Sequence, residues 1–166
     1  ATTLYQGNVT NNKSAGTVTM LSDLYLGIYN QTLTLTAGTL NLNGKIVYLY
    51  NSANGTGTLT GPGASSTFTV AGTGNLTCYN YSQANSASIL AFSGTATLQT
   101  LLNFTLSNGT FYSTNATVNI DGTFTLSGGT FNAPAGTMYV AGGWSHPTAG
   151  TFTHNSGTVT FNGSAI

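Results

Sequence analysis

GTFTLSGGTFNAPAGTMYVAGGWSHPTAGTFTHNSGTVTFNG, residues 122 to 163, decides the fold. Gly122, Gly129, Gly136, Gly143, Gly150 and Gly157 recur at every seventh position, and five of the six precede Thr. Two positions after a glycine stand Phe124, Phe131, Met138, Phe152 and Val159; four positions after stand Leu126, Ala133, Val140, His154 and Phe161. Mostly polar residues separate these pairs. Such alternation describes a short strand with one face turned inward. The remaining positions of each unit, SGG, PAG, AGG, TAG and NSG, are small or turn-forming. Each unit is therefore about four strand residues and a tight corner, where glycine relieves strain and admits close backbone approach. On a helix, the same period-two pattern would scatter the apolar side chains around the axis.

Two all-β architectures accept short strands with short corners. Turns in an antiparallel β-sandwich usually recur every 8–12 residues, longer than the seven seen here. In a parallel β-solenoid the chain coils, and each coil stacks on the last at about 4.8 Å. Longer spacings favour the solenoid. Gly-Thr dipeptides recur at 16 and 38 and at 72 and 94, and Gly129 and Gly150 are 21 apart. Three seven-residue sides make a triangular coil of about 21–22 residues, which places Phe131 under Phe152. The chain of 166 residues then gives roughly eight coils and about 38 Å of stack.

Inward pairs continue through Val18/Met20, Leu24/Leu26, Leu33/Leu35, Leu40/Leu42, Val47/Leu49, Phe68/Val70, Leu76/Cys78, Ala96/Leu98, Phe104/Leu106 and Val118/Ile120. Two stretches break step: NSANGTGTLTGPGASS (51–66) reads as a Gly/Ser-rich loop, and YSQANSASIL (81–90) as an outward bulge or a short helical turn. The pattern resumes after each, so residues 1–166 read as a single solenoid domain with insertions near 51–66 and 81–90.

Composition narrows function. Ionisable side chains are confined to Lys13, Lys45, Asp23, Asp121, His146 and His154, Cys78 and the tyrosines. Nucleic-acid binding requires several cations to displace phosphate counterions, and acid–base catalysis requires paired titratable groups; the expectation is neither a nucleic-acid partner nor an enzyme, and no cofactor. Two histidines eight residues apart fall short of the three or four ligands of a metal site. His154 takes an inward position, and Asp121 is expected to bond backbone at its corner. Cys78, sharing parity with Leu76, reads as a small buried hydrophobe. No apolar run reaches membrane-spanning length, and no charged-then-apolar leader is present, so a secretion signal would already have been removed.

NKSAGTVTMLSDLYL, QTLTLTAGTLNLNGK and the stretch from Gly129 to Ser164 resemble the glycine- and threonine-rich repeats of very large prokaryotic surface proteins. The resemblance covers most of the chain, weakly between 51 and 100. It implies a β-solenoid in an adhesin-like or filament-forming protein, at the cell surface or outside the cell, and it carries over no catalytic residues. FNGSAI followed by ATTLYQGN reads as an unbroken continuation of the pattern, and neither end shows the charge, Pro or cap that normally blunts a terminal coil. Head-to-tail stacking follows, with self as partner, in a homopolymer or along a longer array.

Three sets of residues are candidates for contact. N-x-S/T triplets begin at Asn8, Asn12, Asn30, Asn54, Asn75, Asn80, Asn103, Asn108, Asn115 and Asn162; glycans there would supply the hydration that charges do not. Tyr25, Tyr48, Tyr50 and Tyr139 stand between inward residues and are expected to face out, for lateral contact or for stacking on sugar rings. That second use makes a carbohydrate-binding adhesin module the alternative to a structural filament subunit. Threonine tracts such as TLTLT and TFT would form outward rows similar to those of ice-binding solenoids, with Tyr and Asn interrupting them. Thr is also favoured in any strand.

Overall fold

The structure, a computed structural model, describes residues 8–26, 32–49, 58–60, 62 and 66–163. All strand pairings among them are parallel. A parallel pair needs a long crossover between its strands. Here the other two sides of the coil are the crossover, and the result is a three-faced β-solenoid. Among the described residues no helix is long and apolar enough to cross a membrane.

Each coil runs over three faces in turn. The first face stacks Thr58–Thr60, Asn80–Gln83, Phe104–Leu106, Phe124–Leu126 and Trp144–Ser145. The second stacks Thr67–Ala71, Ile89–Phe92, Thr110–Ser113, Thr130–Asn132 and Thr151–Thr153. Two long strands, Val9–Thr19 and Thr32–Asn41, bend across both of these faces and add a level to each. The third face stacks Leu24–Leu26, Lys45–Leu49, Gly74–Cys78, Thr97–Thr100, Thr117–Ile120, Thr137–Val140 and Thr158–Phe161. The described residues thus make seven levels, or about six turns spanning about 29 Å at the inter-strand spacing.

The eight coils expected of the whole chain assume a uniform repeat, but the described coils differ in length. Val118 pairs with Met138, 20 residues on, and Met138 with Val159, 21 on. Leu40 pairs with Val70, 30 residues on. The extra length falls in the stretch read as the 51–66 insertion. Part of that stretch is regular: Thr58–Thr60 is a first-face strand with Leu59 fully buried, and the rest lies almost wholly outside the described residues.

The second expected insertion is a lengthened corner. Gln83 pairs with Leu106 and Ile89 with Thr110, so five residues, 84–88, join the strands Asn80–Gln83 and Ile89–Phe92 where three serve in the next coil, and 84–87 are exposed. Alternation is hidden there because the inward residues include Gln83 and Ser88, both buried. Gln83 Nε2 donates to the Ser88 carbonyl at 3.0 Å, to Ser88 Oγ at 2.9 Å and to the Thr110 carbonyl at 3.1 Å. Its Oε1 accepts from the Tyr81 hydroxyl, and Ser88 Oγ donates to the Asn85 carbonyl at 2.6 Å. A buried amide is tolerated when its donors and acceptor are all engaged.

Elsewhere the interior is apolar, and like stacks on like. Tyr81, Phe104, Phe124 and Trp144 form one vertical column, and Leu90, Phe111, Phe131 and Phe152 a second. Within a column rings lie nearly parallel: Phe131 and Phe152 are 5.5 Å apart at 8°. Between columns they meet edge to face, as Phe104 and Phe131 do at 5.4 Å and 89°. Both are favoured aromatic geometries, contributing about 1 kcal/mol per pair beyond area burial. The parallel ladder imposes them, since register alone sets each ring above its equivalent.

The six repeated glycines all sit at corners, and most are required by contact with the coil below. A Cβ on Gly122 would collide with the Leu102 carbonyl, and one on Gly157 with that of Pro134. Gly129 alone of the six also takes a positive φ, 71°. Gly136 has open space around it.

Cys78 is fully buried on the third face, as its parity with Leu76 predicts. Burial raises its thiol from 9.0 to about 12, outweighing a backbone hydrogen bond involving Leu59 that lowers it. Burial also holds the Tyr81 hydroxyl well above its usual value, with the nearby Cys78 adding to the effect.

Three outcomes follow. Gly122→Ala should destabilise the fold by about 1–3 kcal/mol through overpacking, whereas Gly136→Ala should leave the urea midpoint unchanged or slightly higher. Thr100 Oγ1 is buried without a hydrogen-bond partner, so Thr100→Val should raise the melting temperature, by about 1 kcal/mol of stability. Because the unfolded chain releases the Cys78 proton near pH 9 and the folded chain near 12, stability should be pH-independent with respect to this group below 9. It should then fall by about 1.4 kcal/mol per pH unit as pH rises through that window. Denaturation series at pH 8 and pH 10.5 with Cys78→Ala, which should lack that component, check the sign.

Candidate functional site

Outward side chains obey the same register as the core, so each face carries vertical rows spaced about 4.8 Å apart. On the first face the register positions between the inward ones are held by Thr10, Thr34, Thr60, Ser82, Thr105, Thr125 and Ser145. Every member is a hydroxyl residue. Two residues earlier along each strand, Thr32, Thr58 and Asn80 share a second row. Asn103 and Thr123 continue it: the Asn103 N–H donates to Asn80 Oδ1 and the Thr123 N–H to Asn103 Oδ1, each at 3.3 Å. The asparagine side chains extend the backbone ladder into the corner, and the row stays small, neutral and polar.

The other faces are mixed. The central row of the second face is Thr17, Thr39, Thr69, Ala91, Tyr112, Asn132 and Thr153. On the third face it is Tyr25, Tyr48, Thr77, Gln99, Asn119, Tyr139 and Thr160. Tyr25 and Tyr48 are neighbours, their rings 6.4 Å apart. Tyr139 shares their row but stands beyond Thr77, Gln99 and Asn119, so the expected tyrosines do not form a continuous patch. Tyr50 lies outside the described residues. Tyr112, 42% exposed on the second face, is an outward aromatic that the sequence reading passed over; its position between inward Phe111 and Ser113 signals it only once Ser113 is known to be buried.

Among the candidate glycosylation sites, Asn8, Asn12, Asn75, Asn103, Asn108, Asn115 and Asn162 are exposed and Asn80 is half-buried. Asn108 and Asn115 occupy corners, whereas Asn12 and Asn75 lie within strands. Asn30 and Asn54 lie outside the described residues.

Ionisable groups are dispersed. Asp23 Oδ1 accepts the Ile46 N–H at 2.9 Å. Asp121 was expected to bond backbone; instead Oδ2 accepts Gln99 Nε2 of the coil below at 3.1 Å. His154 is not inward as its register position suggests. The strand ends at Thr153, the ring is exposed, and Nδ1 accepts the Ser156 N–H at 3.1 Å. His146 Nε2 donates to the Gly150 carbonyl at 2.9 Å. Among the described residues no three His, Cys, Asp or Glu side chains come together. The faces therefore offer hydrogen bonds and apolar contact.

The terminal levels differ from the middle. On the last level, Phe161 is paired with fully buried Val140 yet is itself 63% exposed, and Trp144, Phe152 and Val159 are only half-buried. At the first level a cavity of about 250 Å³ is lined by Val9, Val18, Met20, Leu24, Leu33 and Leu40, with polar residues at its margin. Among the described residues, inward positions at both ends thus lack the neighbour that covers them elsewhere.

Comparison of the chain with protein-family models, with curated proteins and with solved structures finds no match. What stands is the architecture: a parallel β-solenoid with threonine-rich strands and, among the described residues, partly uncovered apolar side chains at both ends.

Proposed function

We propose that the chain is a structural unit of an extracellular filament, sheath or adhesin stalk, extended by head-to-tail stacking of β-coils. The supporting observation is the state of the terminal levels. Phe161 occupies a register position whose equivalent one level below, Val140, is fully buried. Covering one such side chain is worth about 2 kcal/mol, and a further coil would also pair the exposed strand edges. The mechanism is mechanical. Parallel hydrogen bonding along the stack resists bending and extension, and few charges oppose the approach of neighbouring units. Exposed asparagines such as Asn108 and Asn115 stand at corners, where attached glycans would project from the rod without entering the stacking ends.

Purified chain should form fibres as its concentration is raised, with an axial repeat of about seven strand spacings in electron micrographs. Phe161→Asp should weaken assembly severalfold in sedimentation while leaving the melting temperature nearly unchanged, since the side chain is already mostly exposed. Monodisperse particles at every concentration would overturn the stacking reading.

A further inference from the structure

The first face differs from its neighbours in a way that strand propensity does not account for. Threonine is favoured in strands generally, and a general preference would populate all three faces alike. The flanking rows do follow that preference, with Thr67, Thr110, Thr130 and Thr151 on the second face and Thr97, Thr117, Thr137 and Thr158 on the third. The central rows do not: Ala91, Tyr112 and Asn132 interrupt that of the second face, and Tyr25, Tyr48, Gln99, Asn119 and Tyr139 that of the third. On the first face Thr10, Thr34, Ser82, Thr105, Thr125 and Ser145 share one central row, whose remaining register position is Thr60, and beside it Asn80, Asn103 and Thr123 belong to a second. Of the residues expected to break the threonine rows, Tyr25, Tyr48 and Tyr139 lie on the third face, whereas Asn80 and Asn103 do stand in the second row.

We propose that this face binds the surface of ice. Its outward groups form a two-dimensional lattice, about 4.8 Å along the stack and about 6.6 Å between alternate residues of a strand. Only a partner that repeats in both directions can use every position at once, and hexagonal ice repeats on a similar scale. Threonine suits that partner: its hydroxyl hydrogen-bonds lattice water, and its methyl excludes disordered water. As a β-branched residue it is also stiff at χ1, so the array is ordered before it binds. Each contact is weak, but a pre-ordered array loses little entropy on docking.

The occupant is neutral, because among the described residues neither row carries a charge. Sugar chains are less well served: among the described residues neither row has an aromatic ring on which a pyranose would stack. The property requires one folded chain and no filament, so it stands or falls separately from end-to-end stacking.

The test uses unglycosylated chain, with thermal hysteresis and retention in slowly growing ice as readouts. Wild type should show both. Thr105→Tyr combined with Thr125→Tyr, which places bulky outward rings at the middle of the lattice, should abolish both while circular dichroism and the unfolding midpoint stay near wild type. Gln99→Tyr, on the third face, should leave both intact. If the double variant loses its fold, Thr34→Tyr on a different level supplies the same measurement. Folded wild type that shows no hysteresis and is rejected by growing ice overturns the proposal, as does hysteresis that survives these first-face substitutions. Capture by crystalline cellulose or chitin without retention in ice would assign the face to a polysaccharide and also overturn it.

Discussion

Parallel, in-register pairing of each strand with its equivalents in the coils above and below is the constraint from which the remaining features derive. It obliges every coil to pass over the same three faces. A side chain therefore meets its own positional equivalent about 4.8 Å away. Phe104 lies against Phe124 and Phe111 against Phe131 because the backbone ladder puts them there. The edge-to-face contacts between the two aromatic columns then lock the first and second faces together. Corner backbones approach equally closely, as when Gly142 passes 2.5 Å from the Gly122 carbonyl measured from an added Cβ. A side chain has no room there.

The scarcity of charge fits the same geometry. A charged residue repeated at one position would face its like one coil away, at about 1 kcal/mol of repulsion even in water. Threonine, asparagine and serine repeat without that cost and gain hydrogen bonds along the column. Asn80 and Asn103 show this directly, each lending its side-chain oxygen to the backbone of the next coil. The solenoid's polarity is thus carried by neutral groups, and each face becomes a regular surface rather than a scatter of ions.

Departures from regularity are local and chemically resolved. Gln83 enters the interior because Tyr81, Ser88 and the Thr110 carbonyl meet its polar atoms, and Gly109 leaves room for it: an added Cβ there would lie 2.6 Å from Gln83 Nε2. The 30-residue coil between Leu40 and Val70 keeps both of its ends in register. A stack tolerates such insertions because each coil answers mainly to its immediate neighbours. Ends are another matter, since a terminal coil has a neighbour on one side only.

Much of this was legible in the amino-acid sequence, for a definite reason. Period-two alternation within a seven-residue repeat is a local property, and it specifies the strands, the corners, the coiling and the placing of Phe131 beneath Phe152. The buried Cys78 followed from parity alone. What the tertiary structure decided depends on summed lengths and on neighbours. Which threonines share a face cannot be read from spacing when coils run from 20 to 30 residues, because a row is defined by register accumulated through every corner before it. Gln83 looks like a surface residue until Tyr81, Ser88 and the Thr110 carbonyl are assembled around it, and His154 looks buried until its own strand is seen to stop one residue short of it. Local pattern specifies the rung; only the stacked coils decide which side chains meet and which face is uniform.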